Sequence, residues 1–161
     1  AAIAQGAVDM FCGWGGSLRR AKEHGNILLT GAEKTDLGIL VFDVTSGPAG
    51  WVAENSELVA KFLKITADAN AMWADSSNHA KMLPAIAKDA GMDETATAET
   101  MSTFVFPTVA DQLSATWLGG GAQEFMKGVA DVFVAADSID SALGSYAGNV
   151  NTGPLATANA M

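Results

Sequence analysis

Residues 38–73 read GILVFDVTSGPAGWVAENSELVAKFLKITADANAMW, and the hydrophobic period changes inside this stretch. Residues 38–45 carry an almost unbroken apolar run rich in branched side chains, which reads as a strand. From Pro48 onward the period is 3.6 rather than 2. Pro48 suits the first turn of a short helix over 49–54, and Ser56 can cap the long helix that follows. Leu58, Phe62, Ile65, Ala69 and Met72 then form one continuous apolar stripe, with Val59, Leu63 and Trp73 alongside.

Upstream, residues 7–12 (AVDMFC) read as a buried strand that runs into a glycine cluster and a helix over 18–24, which Gly25–Asn26 would end in left-handed geometry. Residues 27–30 (ILLT) and 38–45 read as two further strands around the polar turn GAEKTD. Downstream, helices are expected over 79–90, 95–102, 108–118, 123–135 and 138–146, punctuated by Gly91, Pro107, Gly119–Gly121 and Gly144. The expected fold class is therefore α/β: short strands in residues 7–46, then an almost purely helical remainder. There is no internal repeat and no low-complexity linker.

The whole chain has 161 residues, room for one ordinary domain. Nine Lys+Arg against 18 Asp+Glu give a net charge of -9. Such a surface repels phosphate backbones and anionic lipid, which argues against nucleic-acid and membrane-surface partners. With 49% hydrophobic and 17% charged residues, disorder is excluded. A single cysteine, Cys12, excludes an internal disulfide and a cysteine-rich zinc site. No apolar run approaches the roughly 20 residues of a transmembrane helix, and no signal peptide can be read at the start. The first residues read as the middle of something longer, a helix end followed by a strand. The last, 153–161, read as a flexible tail.

Three features could carry chemistry. Gly13-Trp14-Gly15-Gly16-Ser17 sits where the first strand would meet a helix; glycines there let backbone approach a ligand, and the helix start favours an anion. Leu18 replaces the third glycine of a dinucleotide fingerprint, and no lysine follows as in a P-loop. A tight strand-to-helix turn explains the same residues. Trp14 either walls a pocket or caps a sheet. Asp43, isolated in an apolar strand, either marks where the strand leaves the core or awaits a cation from outside, such as a ligand amine. Cys12 reads as a small buried hydrophobe. His24 and His79 have no spacing that suggests a metal pair, and no Ser/His/Asp or Cys/His set stands out. Neither an enzyme nor a cofactor or metal site is expected.

Taken together, these residues carry a resemblance. Gly6-Ala7-Val8-Asp9, then Trp14, then Lys22-Glu23-His24-Gly25-Asn26-Ile27-Leu28 resembles the segment "GDIDA…W…ALEKDGKVL" of periplasmic taurine-binding proteins, the solute receptors of sulfonate and nitrate-type ABC importers. Phe42-Asp43-Val44 and Glu54-Asn55-Ser56-Glu57-Leu58-Val59 resemble that family's hinge strand "FDV" and helix start "EENPEVV", with Ser56 where proline is common. Phe106-Pro107, Gln112-Leu113-Ser114 and Trp117-Leu118-Gly119-Gly120 match a "FP…QLS…WLGG" stretch. The similarity runs from about residue 3 to residue 152.

The resemblance implies the C-terminal half of a two-lobed α/β receptor. Residues 1–46 would end the second lobe and hold the return hinge strand, and residues 47–152 would complete the first. It implies periplasmic capture of a small sulfonate such as taurine, delivered to an ABC permease. Trp14 would line the pocket, Gly15, Gly16 and Ser17 would offer N–H groups near the sulfonate, and Asp43 would accept the amine. Another small anion, an alkanesulfonate or a nitrate-like solute, is the neighbouring alternative. A standalone helical interaction module docking a partner on the apolar face of residues 58–73 is the alternative of a different class. Strands without their sheet partners would leave the isolated chain aggregation-prone, domain-swapped or oligomeric.

Overall fold

Helix covers 59% of the chain, and no strand forms among residues 2–161, which the computed structural model describes. The α/β expectation is overturned: residues 7–12, 27–30 and 38–45 carry no regular structure. A strand exists only when a neighbour completes its ladder of hydrogen bonds, and none of these segments finds one. Short apolar runs do not distinguish a strand from other apolar segments by pattern alone. Val8, Phe11, Leu28, Val41 and Val44 remain exposed.

The chain divides into two compact units, each built from two separate stretches. The first takes residues 1–30 and 72–106. It holds α1 (Gly15–Ala21), α5 (His79–Ala90) and α6 (Glu94–Met101). Helix α6 packs on both α1 and α5. The contact surfaces are small: Ala87, Ala96 and Thr97 are buried. Gly15, with φ of 56°, lies where a Cβ would come 3.7 Å from Thr100 and 3.8 Å from Phe104. Helix α5 ends in a Schellman motif at Gly91, φ 64°, where the Met92 N–H bonds the Ala87 carbonyl at 3.0 Å. Two residues on, Asp93 caps α6 by accepting from the Ala96 N–H at 2.8 Å.

The second unit takes residues 31–71 and 107–161. It holds α2 (Gly31–Asp36), α3 (Ala49–Glu54) and most of α4 (Ser56–Ala74). From the later stretch come α7 (Val109–Gln112), α8 (Gly121–Ala135) and α9 (Gly153–Asn159). Thr108 starts α7, its Oγ1 accepting from the Asp111 N–H at 3.2 Å. Residues 113–120 then turn too tightly for the longer helix expected over 108–118. A Cβ on Gly121 would lie 2.1 Å from the Thr116 carbonyl oxygen, so only glycine fits. The helix expected over 138–146 is replaced by irregular chain that begins beside Asp137, whose φ is 53°. The segment expected as a flexible tail forms α9, with Pro154, Leu155 and Ala158 buried.

What these units bury is unusual in kind. Apart from Pro154 and Leu155, the buried apolar side chains described are all alanines. A compact monomer of 16.5 kDa exposes roughly 7,500 Å², and two separate compact bodies sharing that mass roughly 9,000 Å². This chain exposes 11154 Å². Its large apolar side chains are largely turned outward.

Candidate functional site: the open face of the long helix

Helix α4 contains neither glycine nor proline over its 19 residues. Lys64 and Asp68, one turn apart, are hydrogen-bonded at 2.6 and 2.7 Å and support the helix from its polar flank. Ala60 is completely buried, and Leu63 and Ala67 on the same side are half-buried. That side is the one the helix turns to its own chain. The side carrying Leu58, Phe62, Ile65 and Met72 is open, at 57%, 53%, 69% and 46% exposure. With exposed Ala69 included, these residues are spaced four, three, four and three apart. That is the heptad seam of a helix that packs on another helix.

The same unit carries a second apolar surface. A groove of about 340 Å³ is lined by Phe125, Met126, Val129 and Phe133 of α8 and by Ile139 and Tyr146. Phe42 also lines it, and its ring stands edge-on to Trp117 at 6.0 Å and to Phe125 at 6.3 Å. Asp43 was the candidate legible in this segment, whereas the residue that docks it is Phe42, an aromatic within the apolar run over 39–42.

Trp14, Gly15, Gly16 and Ser17 lie together at the start of α1 in the first unit. Trp14 is 68% exposed, Gly15 is buried against α6, and Ser17 faces solvent. Asp43 belongs to the second unit and is exposed in irregular chain. Cys12 is exposed, not the buried hydrophobe expected. His79 stacks on Trp73 with ring centroids 4.0 Å apart and meets the Trp73 carbonyl through Nε2 at 2.8 Å. Hydrogen bonding by Ser77, from its side chain first and its backbone N–H second, holds the Asp75 carboxyl below its ordinary value. Among the described residues no group of three His, Cys, Asp or Glu side chains could hold a metal ion, and no helix is long and apolar enough to cross a membrane.

No family model matches the chain, and comparison with curated proteins and with solved structures finds no match.

Proposed function

We propose that the chain is a protein-interaction module that receives a partner helix on the open face of α4. The observation that carries this reading is the heptad spacing of Leu58, Phe62, Ile65 and Ala69 on a face the helix does not use internally. Fully burying one such large side chain contributes about 1.5–3 kcal/mol. Three of them, each more than half exposed, give a docking helix enough apolar area to be held. A synthetic helical peptide with leucine at both seam positions is the test probe. Fluorescence anisotropy should show it binding the full chain, and Ile65→Asp should abolish the binding. Binding that survives Ile65→Asp would refute the reading.

Capture of a small sulfonate such as taurine is the second reading, with the periplasm and an ABC permease as its setting. It is supported by the order of the residues that carry the resemblance and by the glycines that open α1 beside exposed Trp14. The sheet that would frame such a cleft is not formed among the described residues. Calorimetric titration with taurine decides it: heat lost in Asp43→Asn would favour the receptor.

A further inference from the structure

We propose that the helix received on α4 is the α4 of a second copy of this chain, laid antiparallel in an isologous dimer. This inference rests on the docking reading above and names its partner. The pattern on the helix is self-complementary in one direction only. Antiparallel, with Phe62 facing Ile65 of the other copy, Leu58 faces Ala69, so a large residue meets a small one at each end of the seam. The same register sets Lys61 of one copy against Asp68 of the other, and two-fold symmetry repeats the contact. Lys61 makes no ion pair among the described residues. Asp68 already holds Lys64, at 2.6 and 2.7 Å, and its carboxylate retains lone pairs for a second cation. Parallel, Phe62 would stack on Phe62 and Ala69 on Ala69, and Lys61 and Asp68 would face Thr66 and Trp73. Shape and charge both select the antiparallel arrangement.

The dimer also accounts for the division of α4 into two apolar sides. Ala60, Leu63 and Ala67 face the chain itself, while Leu58, Phe62 and Ile65 remain in solvent. A chain of net charge -9 resists self-association at long range, so the contact needs its local cations, and Lys61 is one of them.

Sedimentation velocity of the full chain over about 1–300 µM brackets the affinity expected of so short a seam. The wild type should pass from monomer to dimer, and Ile65→Asp should stay monomeric with an unchanged helical circular dichroism spectrum. Lys61→Asp and Asp68→Lys should each weaken the dimer about tenfold by placing like charges opposite. An equimolar mixture of those two variants should recover it, because every contact then pairs opposite charges. Failure of the mixture to recover would overturn the antiparallel register, and a dimer untouched by Ile65→Asp would overturn the surface. A wild type monomeric throughout, but still binding the leucine-heptad peptide, would overturn self-docking and leave the docking reading standing. Loss of both would end both.

Discussion

The Phe42 ring meets the Trp117 ring edge-on, with centroids 6.0 Å apart and planes at 84°. Between them the two aromatics hold an irregular segment to the second unit without a single ladder bond. Phe125 completes the contact at 6.3 Å. Edge-to-face pairs contribute about 0.5–1.5 kcal/mol beyond their buried area. Phe42→Ala should therefore destabilise that unit by about 1–2 kcal/mol, less than the 3–5 of a fully buried phenylalanine. Asp43→Asn, one residue away and exposed, should stay within about 0.5 kcal/mol. Urea denaturation of both variants measures the difference, and equal losses would deny Phe42 its anchoring role.

Two glycines of α8 should respond with opposite signs. Gly121→Ala drives a Cβ to 2.1 Å from the Thr116 carbonyl oxygen, a backbone atom that cannot step aside. It should cost more than about 2 kcal/mol. Gly128→Ala meets nothing within 4 Å in the middle of the same helix and should stabilise by about 0.5–1 kcal/mol. Thermal melts of the pair check both directions.

The helix cap at Asp93 gives a local prediction in the first unit. Its carboxylate accepts the Ala96 N–H at 2.8 Å, and Asp93→Ala should cost about 1 kcal/mol, whereas Asp93→Asn should restore most of it. Amide exchange at Ala96 and Thr97 should accelerate in the alanine variant alone.

How much of this was legible in the sequence depends on what each element needs from the rest of the chain. Helices α4, α5, α6 and α8 are encoded locally, by the 3.6 period, by Gly91 and by the Asp93 cap, and they form within two residues of the expected bounds at most ends. Residues 38–45 illustrate the opposite case. Their apolar run satisfies every local condition for a strand, but the ladder that makes one is a property of a second segment that never pairs. Residues 138–146 failed for another reason: Ser138, Asp140 and Ser141 compete for backbone hydrogen bonds and favour turns over a helix interior. Of the candidate site, the stripe Leu58–Phe62–Ile65 was legible as apolar. Which side of α4 faces inward was not, because it turns on packing around Ala60. Gly15 to Ser17, expected as the turn before a helix over 18–24, instead form the first turn of α1 over Gly15–Ala21, and Gly25 does not take the left-handed cap expected of it. The cleft implied for them depended on sheets that do not form.

The Asp75 carboxyl supplies the pH prediction. Hydrogen bonding by Ser77, which includes its N–H at 2.9 Å, lowers the folded-state pKa below 3.8. A depressed carboxyl stabilises the fold above its unfolded value and loses that contribution as pH falls through the folded one. The short turn over Ser76–Asn78 should thus hold at neutral pH and loosen only below about pH 4. The amide shift of Ser77, followed by NMR during acid titration, should move in step with the Asp75 carboxyl, and independent titration would separate them.

Hydroxyl-radical footprinting of Phe62 and Leu63 tests the open face most directly. The two residues are neighbours on one helix, one 53% exposed and the other half-buried against its own chain. Phe62 should react readily in dilute solution and become several-fold protected when the leucine-heptad peptide is added, while Leu63 stays unchanged. A Phe62 already protected in the dilute monomer, or equally reactive with and without the peptide, would contradict a docking face on α4.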